Sequence, residues 1–333
     1  MGELSDRRAQ TAERIRELRA RLQTAESIAT GKACVYATGS FGRREASRYS
    51  DLDLFILGKS DAKPERGGKK ESLLSRLDEI LIKSDLIEAT RELGIPEFSG
   101  DGRYLVHYAV HELTDTLGKP EDDVTNTFTA RLLLLLESRP LLGETVYQEV
   151  TREVVAAYWR DYEDHKNDFM PAFLGNDILR LWRTFCVNYE AGTEREPEEK
   201  KAKGKIKNYK LKHSRLLTCY SAVLYLLAVY DQQKSVHPQD ALDMISLTPS
   251  RRLEWLRDHG SLSDARPIIE SLLEHYERFL ETTDAPEIEL ISRFMDKEKI
   301  TKYVESAYEF GNLIFDALMC IGKGTRFHRL LVV

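Results

Sequence analysis

Residues 37–57, ATGSFGRREASRYSDLDLFIL, decide how this chain reads. The apolar, partly β-branched run Ala33 to Ala37 just before them predicts a strand, and Thr38-Gly39-Ser40 a tight turn. Leu52 to Leu57 predicts a second strand, with Asp51 and Asp53 at its start. Alternate side chains of a strand share a face, so Asp51 and Asp53 point one way while Leu52, Leu54 and Ile56 point into a core. Two carboxylates side by side at the head of an apolar strand repel each other, and a hard cation relieves that. Mg²⁺ prefers a few carboxylate oxygens, completed by water and substrate phosphates. Glycine at position 39 lets the backbone approach a phosphate closely. Exposed backbone N–H groups and the Ser40 hydroxyl supply donors to its oxygens. A phosphate cradle beside a carboxylate pair implies metal-assisted phosphoryl or nucleotidyl transfer.

Working outward, residues 4–29 read as one long amphipathic helix, with Ala12, Ile15, Leu18, Leu22 and Ala25 at three- and four-residue spacing and Gly31 placed to end it. Residues 58–70 (GKSDAKPERGGKK) read as a loop, 71–93 as a helix and Tyr104 to Leu113 as a third strand. From about residue 125 the pattern is helical nearly to the end. Segments are expected at about 127–139, 144–161, 171–191, 205–230, 238–246, 249–258, 263–282 and 297–320. The run Ala191–Gly204 is a charged loop, 284–290 a solvated turn, and the tail from Arg326 a candidate last strand. The expected organisation is an N-terminal helix (1–30), a small α/β core (31–125) and a helical C-terminal domain (126–333).

The composition narrows the function classes. The 333 residues carry 49 Lys plus Arg against 55 Asp plus Glu, a net charge of −6 that argues against a general nucleic-acid binder. No apolar run approaches the roughly 20 residues of a membrane-spanning helix, and the charged N-terminus has no signal-peptide core. The four cysteines, 34, 186, 219 and 320, are far apart, with no CxxC pair. That disfavours zinc and disulfide frameworks and fits a reducing cytoplasm.

Gly39-Ser40 followed after ten residues by Asp51-Leu52-Asp53 resembles the signature of the DNA polymerase β-like nucleotidyltransferase superfamily. Within it, GSFGRREASRYSDLDL is most similar to the N-terminal domain of the bacterial PII uridylyltransferases and related uncharacterised nucleotidyltransferases. Leu105 to Val110 (LVHYAV) and Leu136 to Glu144 (LESRPLLGE) resemble further motifs of that group, and parts of 160–230 do so more loosely. The resemblance implies an α+β fold, a polymerase β-like core with a small mixed sheet and helices, followed by an all-helical domain. It implies an EC 2.7.7-type enzyme that moves an NMP from an NTP to an acceptor hydroxyl and releases pyrophosphate. Asp51 and Asp53 would hold Mg²⁺ (or Mn²⁺), and a third carboxylate on a neighbouring strand would complete the catalytic set.

The middle of the expected third strand holds no acid. Asp101 just before it is preferred over Glu112 at its end, with His107 as an alternative base. Arg43 and Arg44 are candidate phosphate forks or a plain surface pair. In the 205–230 helix Lys207, Lys210 and Ser214 fall on one expected face, and the resemblance implies a triphosphate-binding Lys or Ser there; a basic surface is the alternative. Asp177, Arg180, Thr184 and Asn188 form a polar stripe on another helix, to line a cleft or to face solvent. Acceptors of three classes fit: a protein side chain, slightly favoured by the acidic pI, an RNA or a small molecule. The rival is a nucleotide-sensing module of the same fold with weak or no catalysis.

Overall fold

The computed structural model describes residues 2–63, 68–98, 102, 105–191 and 198–332. The chain divides into two compact units, Met1–Arg160 and Asp161–Val333. The sequence pattern puts the corresponding boundary at 125/126. The units divide later because the segment after 126 returns a strand to the first unit's sheet.

That sheet has four strands in the order β5-β2-β1-β6. β1 (Ala33–Ala37) pairs antiparallel with β2 (Leu54–Gly58), and also antiparallel with β6 (Arg139–Leu142). β5 (His107–Ala109) runs parallel to β2, with Ile56 opposite His107. A two-stranded hairpin, β3 (Ser60–Lys63) and β4 (Lys69–Ser72), stands where the sequence reads as a loop. Cross-strand pairing gives those polar residues the backbone partners that their own composition does not advertise.

β1 is buried at all five positions. On one face its Ala33, Val35 and Ala37 join Leu54 and Ile56 in a core with Leu18, Leu22, Ala25, Ile82, Leu86 and Ala89. These last six come from α1 (Glu3–Arg21), the Leu22 link, α2 (Gln23–Ala29) and α4 (Arg76–Glu92), which comes after the four-residue α3 (Gly39–Gly42). The expected single helix over 4–29 is thus two, parted at Leu22, whose side chain is fully buried. α4 begins only at Arg76, where Ser75 Oγ accepts the Asp78 N–H at 3.1 Å and caps it.

On the other face Tyr36 stacks on its ladder partner Phe55 at 5.5 Å and lies near Tyr147. The Tyr36 hydroxyl donates to the carbonyl of Ala130 at 3.1 Å. The third expected strand is mostly something else. After three β5 residues the chain turns into α5 (Val110–Asp115), then α6 (Glu121–Val124), α7 (Thr127–Glu137) and α8 (Glu144–Tyr158). α7 is buried nearly all round, as its LLLLL run requires. Its one cation, Arg131, forks onto Asp122 at 2.8 and 2.5 Å and donates to the Tyr158 hydroxyl at 2.9 Å. Burial opposes the charge, but these bonds raise the Arg131 pKa overall.

The second unit is built of helices joined by short turns, with no strand among its described residues. Its regular elements are α9 (Ala172–Ala191), α10 (Glu198–Lys210), a π-turn at Leu211–Arg215, α11 (Leu216–Gln233), α12 (Pro238–Ser246), α13 (Pro249–Asp258), α14 (Arg266–Thr283), α15 (Glu287–Met295), α16 (Lys297–Gly322) and α17 (Arg326–Leu330). α11 is the buried axis, with 14 of its 18 residues in the core. α13 starts as its Thr-Pro sequence predicts, with Thr248 Oγ1 accepting the Arg251 N–H at 3.3 Å. The expected solvated turn at 284–290 instead begins α15, which buries Leu290 and Phe294; the expected tail strand is α17, anchored by buried Phe327. Of the expected loop over 191–204, residues 192–197 lie outside the described residues.

Candidate functional site

The Thr38 N–H donates to the Asp53 carbonyl at 2.8 Å, which extends the β1–β2 ladder one step beyond its last strand pair. Asp51 and Asp53 are exposed, while Leu52 and Leu54 are 2% and 4% exposed. The carboxylates therefore leave the core side together, although residues 51–53 are not themselves regular strand. Gly39 sits across from them at φ +61°, and a Cβ there would stand 2.7 Å from Asp53 Oδ2. The backbone angle favours glycine, and a side chain there would have to displace the Asp53 carboxylate.

α3 turns the chain immediately after Gly39. The N–H groups of Gly42 and Arg43 return to the carbonyls of Thr38 and Gly39, both at 3.0 Å. The Gly39 N–H donates to Glu137 Oε1 at 3.1 Å. Among the described residues no protein acceptor takes the N–H of Ser40 or Phe41, nor does any group bind Ser40 Oγ. Ser40 is half-buried, so its N–H and hydroxyl lie at the rim of the turn beside Asp53, whereas Phe41 is fully buried.

Arg43, a candidate phosphate fork on sequence grounds, points into the protein. Its side chain is 8% exposed, with Nε 2.9 Å from Glu45 Oε2 and Nη1 2.8 Å from Glu137 Oε2. Arg44, the other candidate, is exposed and has a left-handed backbone at φ 59°. The rest of the turn is held from α1. Thr11 Oγ1 accepts the Ala46 N–H at 2.9 Å, and Arg14 donates to the Ser47 and Ser50 carbonyls while lying over the Phe41 ring at 4.6 Å. Ser50 Oγ accepts the Ser47 N–H at 3.0 Å, which fixes the bend that delivers Asp51.

Asp101 lies outside the described residues. His107 does not serve as the alternative base, because it is in register with Ile56, on the core side of β2, opposite in parity to Asp53. There its Nδ1 meets Glu79 Oε2 of α4 at 3.2 Å, and its Nε2 meets Ser72 Oγ at 3.0 Å. Glu112 Oε2 is taken by the Ala109 N–H at 2.6 Å, at the start of α5.

The basic candidates belong to the second unit. Lys207 and Lys210 are exposed on α10. Ser214 is 6% exposed, and its hydroxyl donates to the Lys210 carbonyl at 2.8 Å. The single expected face breaks because the π-turn Leu211–Arg215 adds a residue to the turn and rotates the helix beyond it. The polar stripe of α9 begins buried, with Asp177 3.8 Å from Arg180, and ends exposed at Asn188.

Glu137 holds the turn although the sequence pattern assigns it no role, and it lies inside the LESRPLLGE motif. The available signal was an acid closing an apolar helix: Glu137 is the only charged residue between Arg131 and Arg139.

The donor set at the turn suits a hard divalent cation with a phosphate: two exposed carboxylates, a hydroxyl, and an open space beside Asp53 Oδ2 that any Cβ on residue 39 would fill. Among the described residues no cluster of three or more His, Cys, Asp or Glu forms a complete metal-binding group. Neither a curated protein nor a solved structure matches the chain. The nucleotidyltransferase domain family matches residues 15–97, the stretch that contains α1 from Ile15, both central strands, the Gly39 turn and the two aspartates. The first unit thus carries a nucleotidyltransferase domain of the polymerase β-like superfamily.

Proposed function

We propose that the chain transfers an NMP from an NTP to an acceptor hydroxyl and releases pyrophosphate, with Mg²⁺ as its cofactor. The observation that carries this reading is the contact between turn and carboxylate. A Cβ on residue 39 would stand 2.7 Å from Asp53 Oδ2, so the turn and the carboxylate adjoin. A phosphate on the turn and a cation on Asp53 would then be neighbours, as transfer of a metal-bound triphosphate requires.

In this reading Ser40 Oγ and the Ser40 N–H take phosphate oxygens, with Gly39 giving them backbone access. Asp51 and Asp53 hold the cation and orient the α-phosphorus. A divalent ion there supplies charge neutralisation and a more acidic acceptor hydroxyl. Asp101 remains the proposed acceptor-side carboxylate, and Lys207 and Lys210 the proposed triphosphate contacts of the second unit. Arg44, exposed at the end of the turn, is a better fork for a phosphate than Arg43, whose donors serve Glu45 and Glu137. Ser214 is a weaker candidate than the lysines, since its hydroxyl serves the helix backbone. A protein side chain is the preferred acceptor on the acidic net charge of −6, ahead of RNA or a small molecule. The proposed setting is cytoplasmic; no described helix is long and apolar enough to cross a membrane.

The test is pyrophosphate release from each of ATP, UTP, CTP and GTP with Mg²⁺ or Mn²⁺, in cell lysate with α-labelled nucleotide. Label on a protein band, lost in Asp51→Asn, supports the reading and gives the acceptor class; label on RNA moves the acceptor to nucleic acid. The rival reading is a nucleotide sensor of the same fold. Nucleotide that binds with Mg²⁺ but yields neither pyrophosphate nor label would establish that rival.

A further inference from the structure

The family match ends at residue 97, yet the turn that carries Gly39 and Ser40 is completed by a residue well beyond it. Glu137 is the last residue of α7, and its side chain is fully buried. Oε1 accepts the Gly39 N–H at 3.1 Å, and Oε2 accepts Arg43 Nη1 at 2.8 Å. The same residue fixes the turn a third time through its backbone. Its carbonyl oxygen lies 1.9 Å from where a Cβ on Gly42 would be, so the two segments are in direct contact. β6 starts two residues later and pairs with β1, Arg139 opposite Ala37 and Leu142 opposite Val35. The carboxylate is therefore anchored by the sheet, and it grips both ends of α3.

We propose that Glu137 is a positioning residue for the NTP phosphates, acting through the Gly39–Arg43 turn. This rests on the nucleotidyl-transfer reading of the site. The physical argument is one of donor allocation. Three successive N–H groups, of residues 39, 40 and 41, open the turn, and all three have lost their helical acceptors. Glu137 takes the first and fixes the direction of the second, which on half-buried Ser40 is open to a ligand, while the third is buried with Phe41. A buried carboxylate does this well because a charge-assisted bond in a low-dielectric setting is stronger than a neutral one. Arg43, shared with Glu45, makes the burial of that charge tolerable. Without the charge on residue 137 the Gly39 N–H competes for the ligand's place, and the turn samples other orientations.

Glu137→Gln tests this, because it keeps the shape and an oxygen for Gly39 but removes the charge that faces Arg43. Two readouts are needed, on the full chain: amide hydrogen exchange across residues 33–58, and steady-state pyrophosphate release with the NTP varied. The expected result is faster exchange at Gly39 and its neighbours, unchanged exchange in β1 and β2, and an NTP KM raised about tenfold with kcat changed far less, the size of one charge-assisted bond. Unchanged exchange at Gly39 overturns the clamp. Faster exchange with an unchanged KM overturns the positioning role and leaves a structural one. Should Glu137→Gln fail to fold, Arg43→Lys, which weakens the pair from the other side, is measured in the same way and judged by the same outcomes. A wild-type protein that releases no pyrophosphate overturns the transfer reading itself and with it the catalytic purpose of the clamp; the exchange measurement still decides whether the clamp exists.

Discussion

In the first unit, charges are buried in groups: Arg43 between Glu45 and Glu137, and Arg131 forked onto Asp122. In the second unit the fully buried His213 is held by aromatic rings instead. It stacks on Phe279 at 4.7 Å and Phe310 at 5.0 Å, with Tyr209 at 4.4 Å. Its Nδ1 meets the Tyr209 carbonyl at 2.9 Å, and its Nε2 has no partner among the described residues. The difference teaches what each unit is built to do. Buried ion groups cost desolvation and are specific about direction, which suits a unit that must aim a loop. The bundle around α11 also buries a cation, Arg252, which donates to the Met244 carbonyl at 2.9 Å, but most of its contacts are apolar and make little directional demand.

The largest effect is expected at the first unit's buried ion pair, Arg131 with Asp122. Asp122→Ala leaves Arg131 buried without its carboxylate and is expected to cost about 3–5 kcal/mol. Denaturation followed by the fluorescence of Trp159, with the second-unit tryptophans 182 and 255 replaced by Phe, reads it. A loss below about 1 kcal/mol would mean that the first unit does not depend on paired charge.

The second unit's dependence is on pH. Burial, the largest cause, pushes the His213 pKa down to about 4 from 6.5, with nearby His275 adding to the fall and the Tyr209 carbonyl opposing it. His275 is itself shifted down, mainly by burial. The unfolded chain therefore takes up a proton at a higher pH than the folded one. The stability is complete above pH 6.5, declines as the pH falls toward 4, and levels off below that. His213 alone accounts for about 3 kcal/mol across this window, since each pH unit between the two values is worth about 1.4 kcal/mol. Urea titrations at several pH values, followed at Trp182 and Trp255, are expected to show this slope, and His213→Phe to flatten most of it. An unchanged slope in that variant would assign the dependence to other groups.

The smallest effects are expected to be alike in both units. Ser75→Ala removes the α4 cap and Thr248→Ala the α13 cap. Each is expected to cost about 1 kcal/mol by the same measurement. Caps act locally, so a large difference between the two losses would show that one of these helices is held mainly by its packing.

The local rules were legible because they need only neighbouring residues. The Gly39-Ser40 turn, the alternation of Asp51 and Asp53 with Leu52 and Leu54, the Thr248-Pro249 helix start and the buried α7 run are all patterns of period two or 3.6, or cap chemistry. The β3–β4 hairpin was not legible, because its polar residues are recruited by pairing rather than by burial. The third strand was overextended for a related reason: His107, Tyr108 and Ala109 suit a strand, but Glu112 turns back on the Ala109 N–H and starts α5.

Residue type and short spacing were enough to read the nucleotidyltransferase domain matched over residues 15–97, the α+β character of the first unit and the helical second part, and to single out Gly39, Ser40, Asp51 and Asp53 as candidates. Only the tertiary structure decided that Arg43 faces inward, that His107 lies on the core side of β2, that the π-turn separates Ser214 from Lys207 and Lys210, and that Glu137 holds the Gly39 N–H. Those four depend on which side chain meets which across long separations, and a buried charge goes wherever its partner is.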